Sequence, residues 1–92
     1  MARFRGTGNL TLGDGTDLPV VVDLHSRVEG GRRIWDGTVT ATDERRAGVF
    51  CVDLGSTRPL RLDIGADGAV ALRRSAPDSV AVEVAGEGPA PF

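Results

Sequence analysis

His25 is the only imidazole in the chain and Cys51 the only thiol, so acid–base or thiol chemistry would have to run through one of them. His25 follows Asp23 by two residues, and on a β-strand that spacing puts both side chains on one face, where the carboxylate could orient the ring. Ser26, the nearest hydroxyl, falls on the opposite face, a poor geometry for a nucleophile and its base. His25 therefore reads as a surface or partly covered residue, with ligand binding or catalysis as the alternative. Cys51 lies in the apolar stretch VFCVDL without an adjacent His or Arg, which suits a buried, inert thiol.

The carboxylates offer no better catalytic set. None of the thirteen Asp and Glu residues stands at a spacing and burial that would split a pair of pKa values for acid–base work. A single cysteine rules out an internal disulfide and a cysteine-based metal site. GTGNLTLGDG is glycine-rich but lacks the strand-to-helix context of a phosphate loop, so no cofactor is implied. The balance favours a non-enzymatic chain.

Charge narrows the partners. All eleven basic residues are Arg, there is no Lys, and the formal net charge is −2. The Arg bias fits a GC-rich genome such as an actinobacterium's. Arg32-Arg33, Arg45-Arg46 and Arg73-Arg74 each have acidic neighbours, which predicts a charge-balanced surface and no nucleic-acid binding, since that needs a basic face to release counterions. No window approaches the roughly 18 apolar residues of a membrane span. The polar, Arg-bearing start lacks a signal-peptide core, and the expected location is cytoplasmic.

The elements that position these residues are strands. In LPVVVDLHSRV, Leu18, Val20, Val22, Leu24, Ser26 and Val28 share one face and Pro19, Val21, Asp23, His25 and Arg27 the other. Glu29-Gly30-Gly31 then turns the chain into a third strand, residues 32–42, with Trp35 inward and a bulge near Asp36-Gly37 able to shift its register. A first strand over residues 3–12 carries Gly6 and Gly8 inward, leaving space for a bulky neighbour or marking a bend where a barrel closes. TDERRAG reads as a loop or one helical turn. Residues 47–54 read as a fourth, central strand, with Phe50, Val52 and Leu54 on one face and Val49 and Cys51 on the other. Leu60, Leu62 and Ile64 form a fifth inward set, Val70 and Leu72 a sixth, and Val80, Val82 and Val84 a seventh.

About seven short strands spaced by roughly 8–12 residues predict an all-β domain over residues 1–92: a small antiparallel meander barrel, with a β-sandwich as the alternative. The glycines of GTG and GEG would let the first and last strands seal it, and residues 85–92 form a Gly/Pro-rich tail.

FRGTGNLTL, LPVVVDL, GGRRIWDGTV and the closing GEGPAPF resemble a small uncharacterised β domain common in actinobacteria, which occurs alone or at the C-terminus of flavin-dependent monooxygenases. The resemblance rests on Gly6, the Val20-Val22-Leu24 alternation, Trp35-Asp36-Gly37 and the terminal Gly86, Gly88, Pro91 and Phe92; residues 42–76 match only in hydrophobic pattern. It implies an accessory β domain with an oxidoreductase partner, and no mechanism.

Two functional expectations follow. The first is a non-catalytic interaction module that self-associates or docks to an oxidoreductase, through the outward apolar residues Val21, Val49 and Cys51. The second is a barrel that binds a small apolar molecule of specialised metabolism in a cavity opened by the inward glycines. Trp35 and Phe50 would line it, with His25 as a further ligand-binding candidate.

Overall fold

The computed structural model describes residues 2–92. The period-two pattern resolves into six antiparallel strands: β1 (Ala2–Thr11), β2 (Asp17–Glu29), β3 (Arg32–Ala41), β4 (Thr57–Leu62), β5 (Asp67–Arg74) and β6 (Ala81–Glu87). They close into a barrel in the order β1-β2-β3-β6-β5-β4.

β2 follows its alternation closely. Leu18, Val20, Val22, Leu24 and Ser26 are buried, while Pro19, Val21 and His25 face outward. Val28 departs from the inward set because the β2–β3 hairpin projects past the barrel, where nothing covers it. The turn at its tip has φ of +59° at Gly30 and +77° at Gly31, the pair of positive angles that a two-residue hairpin loop matching strand twist demands. From there the register runs without a break to Val20↔Ala41. No bulge at Asp36-Gly37 shifts the register, and Trp35 keeps the inward phase expected for it. The irregularity lies instead in β5, between Leu72 and Arg74.

Closure differs from a meander. β1 pairs with β4 through Gly8↔Leu62, Asn9↔Arg61 and Leu10↔Leu60, and β6 lies between β3 and β5. The expected seal between first and last strands is not made. Gly8 explains the seam: a Cβ there would strike the Arg61 carbonyl, so only glycine lets β4 come this close. Gly6 is filled by the ring of Phe4. Above the seam, Arg58 of β4 donates from Nε to the Thr11 carbonyl at 2.9 Å and from Nη2 to the Leu12 carbonyl at 3.0 Å, holding the end of β1.

The expected strand over residues 47–54 does not form. That stretch belongs to a loop with two 3-10 turns, Glu44–Arg46 and Cys51–Asp53, the first capped by the Asp43 side chain accepting from the Arg45 amide. Phe50 drops from it into one end of the barrel and is fully buried. Val52 and Leu54, expected beside Phe50 on one face, are exposed instead. One anchoring aromatic satisfies the loop, so the other apolar residues need no common face. Ile64, expected inward, sits in the β4–β5 turn and is also exposed.

At the opposite end β6 continues through Glu87, three residues into the stretch expected to be irregular. Residues 88–92 then fold across the mouth as a strap, with Ala90 and Phe92 packed on the core. Each end of the barrel thus has its own stopper, and Leu10, Val20, Val22, Leu24, Val39, Leu60 and Leu72 are among the side chains filling the space between.

Candidate functional site

His25 sits on the outer face of β2, directly across from Asp36 of β3. Its Nε2 lies 2.9 Å from Asp36 Oδ1, so the carboxylate faces the ring across the two strands. The other oxygen of Asp36 accepts from Arg27 Nη1 at 2.9 Å, and Arg27 Nε donates to Glu29 at 3.1 Å. The hydrogen bond to Asp36, then that to Glu29, raises the Arg27 pKa.

Asp23, the carboxylate two residues before His25, is taken by a different partner. Arg3 of β1 donates to both of its oxygens, at 3.1 and 2.9 Å, and Arg5 lies 3.7 Å away. The Arg3 hydrogen bond holds the Asp23 carboxyl below the usual carboxylate range. So the orienting group is Asp36 rather than Asp23. The turn carries the signal for it: counting outward from Gly30 and Gly31 pairs Glu29 with Arg32 and, further along, His25 with Asp36.

The result is a ladder of opposite charges across β1, β2 and β3. It lies beside a shallow groove of about 430 Å³ lined by Ala2, Arg3, Asp23, His25, Gly37 and Thr38. A carboxylate-oriented imidazole resembles half of a catalytic pair, and neither Ser26 nor Cys51 lies beside it to complete one. Ser26 is buried on the inner face, and Cys51 lies in the loop at the Phe50 end, its Sγ 3.9 Å from the Ser75 carbonyl oxygen. With half its side chain in solvent and Asp36 shared with Arg27, His25 is a cross-strand link in the sheet surface. Among the described residues no cluster of three His, Cys, Asp or Glu side chains is placed to hold a metal.

The two aromatic candidates lie in the core. Trp35 is 3% exposed and Phe50 is fully buried. The Trp35 indole lies against the backbone of Gly86, where a Cβ would fall inside the ring system, and its Nε1 donates to the Gly88 carbonyl at 2.9 Å. The inward glycines open no cavity, since Phe4 and the Arg61 backbone occupy the space they leave.

The three interface candidates are not brought together on one sheet face. Val21 stands outward on β2 between Thr7 of β1 and Thr40 of β3, an apolar residue with polar cross-strand neighbours. Val49 and Cys51 are half-buried in the loop at the Phe50 end, Val49 packing on the core. The basis for placing them on the outside of a central strand is removed with that strand.

Sequence reading missed the most exposed large hydrophobic side chain among the described residues. Val52 is 91% exposed, and it borders a groove of about 630 Å³ lined also by Leu12, Val49, Arg45, Arg46, Asp14 and Asp53. Its only sequence signal was a 3-10 turn hidden in an apparent strand pattern. The chain matches no family model, no curated protein and no solved structure.

Proposed function

We propose that this chain is a non-catalytic interaction module that self-associates through its Phe50 end. The observation that carries the reading is the placement of Val52, an apolar knob standing in solvent, beside a groove with an apolar floor of Leu12 and Val49. An exposed aliphatic side chain next to a concave apolar surface is the usual mark of a contact site. The groove's rim carries both signs, with Arg45 and Arg46 near Asp14 and Asp53. Knob and groove lie side by side, so a two-fold axis would seat each knob in the partner's groove and set arginines against carboxylates. Leu54, also exposed, would extend the apolar area.

Light scattering from micromolar to millimolar protein tests this. The wild-type chain is expected to dimerise over that range, and Val52→Arg to remain monomeric with its stability changed by no more than about 0.5 kcal/mol, as for an exposed substitution. A wild-type chain that stays monomeric at about millimolar concentration would remove self-association. The partner implied by the family resemblance, a flavin-dependent oxidoreductase, would meet the same end. Co-elution with such an enzyme, abolished by Val52→Arg, would then identify docking as the role.

A further inference from the structure

Three of the four aromatic side chains in the chain gather at the mouth opposite Phe50. The Phe92 ring stands edge-on to Trp35 with centroids 6.0 Å apart and planes at 83°, and it lies 6.2 Å from Phe4 at 30°. These are the separations at which aromatic quadrupoles attract. The slot exists because the neighbouring backbone is bare: Gly86 gives the indole its bed, and Gly68 receives Pro91.

The strap that carries Phe92 is lightly held. Among the described residues it makes none of the backbone–backbone hydrogen bonds found outside the strands, and its polar tie is the Trp35 Nε1 bond to the Gly88 carbonyl. Gly88 has φ of +74°, a conformation that marks it as the bend where the chain leaves β6. A segment fixed by one such bond and a few apolar contacts opens at far lower free energy than the barrel itself. Opening would uncover the Trp35 face, the Phe4 ring and an indole N–H released from the Gly88 carbonyl to water.

We propose that this mouth is a binding site for a planar aromatic molecule bearing a hydrogen-bond acceptor, with the strap as its built-in competitor. Phe92 shows what the slot accepts, a flat six-membered ring set against Trp35 and Phe4. The released Trp35 Nε1–H supplies the polar requirement, because a buried indole N–H needs an acceptor and the ligand must replace the Gly88 carbonyl. A saturated ring of equal size loses the edge-to-face attraction, and an aromatic hydrocarbon leaves the N–H unpaired. The site is at the far end from Val52, so it stands or falls independently of the self-association reading.

Acetophenone, an aromatic ketone, is a suitable probe, with cyclohexyl methyl ketone as the saturated control. In spectra of the ¹⁵N-labelled full chain, the Trp35 indole and Gly86 amide resonances should move on adding acetophenone. Phe92→Ala, which empties the slot, should bind it about tenfold or more tightly than wild type, because the resident competitor no longer reduces the competent fraction. The saturated ketone should move neither resonance. The proposal is overturned if Phe92→Ala binds no tighter than wild type, or if both ketones shift the two resonances equally. Should Phe92→Ala not fold, the wild-type chain decides. Its Trp35 indole hydrogen must exchange faster than the slowest core amides, and exchange only through global unfolding would show a strap that never opens.

Discussion

Replacing Trp35 by alanine tests the account of the core most directly. A buried tryptophan withdraws on the order of 200 Å² from water, and at about 25 cal/mol per Å² that burial is worth roughly 5 kcal/mol. Trp35 is close to this limit at 3% exposure, with Gly86 beneath the ring and Phe92 against its edge. The lost hydrogen bond adds little, because the exposed Gly88 can offer its carbonyl to water. Relaxation of the strap into the vacated space offsets part of the transfer term, so the expected loss is about 3–5 kcal/mol, the usual range for deleting a large buried aromatic. For a domain of this size that lowers Tm by roughly 12–40 °C. Urea unfolding followed by far-UV circular dichroism is the appropriate assay, since the substitution removes the only tryptophan. Trp35→Phe, which keeps a ring in the slot, should lose less than the alanine variant. A loss below about 1 kcal/mol for Trp35→Ala would refute the reasoning, as would wild-type emission at the fully solvated wavelength.

The remaining expectations concern the seam, acid and nucleic acid. Gly8→Ala drives a methyl group into the Arg61 carbonyl and should cost about 1–3 kcal/mol, the range for overpacking; hydrogen exchange should accelerate in residues 8–10 and 60–62 before it does in β2 and β3. Acid should destabilise the fold through four carboxylates held below their usual pKa, Asp14 by the Thr16 amide, Asp23 by Arg3, Asp43 by Arg45 and Asp67 by Arg61. Because the folded values are the lower ones, their stabilisation is complete above the unfolded pKa of about 3.9 and is lost as pH falls through the folded values; a Tm unchanged from pH 5 to pH 2 would contradict this. Eleven arginines should still give no more than weak DNA or RNA binding at physiological salt, because acidic neighbours such as Asp23, Asp36 and Asp67 already engage Arg3, Arg27 and Arg61. A salt-resistant gel shift at micromolar protein would overturn that.

Local information alone determined the first half of the molecule. The alternation from Leu18 to Ser26 dictates which face of β2 is buried, since a one-residue slip would turn every apolar side chain into solvent. The two glycines at the hairpin tip fix the β2–β3 register, and that register places Asp36 opposite His25, a pairing available from counting alone. Trp35 points inward for the same reason, on the phase of Val39 and Ala41.

What tertiary structure decided is every feature that depends on segments distant in sequence. Residues 47–54 carry a strand-like alternation, but six or eight residues of it fit equally well a loop that anchors one aromatic. The barrel end offered Phe50 a socket, and no neighbouring strand edge was left to pair with the rest. Strand order was equally hidden, because β1 meets β4 only where Gly8 allows the Arg61 carbonyl to approach, and nothing adjacent in sequence marks that partner. The same holds at the strap, where Phe92 finds Phe4 from the opposite end of the chain. Turn geometry and side-chain period act within a few residues and can be read from them; closure of a barrel is a contest among distant edges, settled only when all six strands are in place.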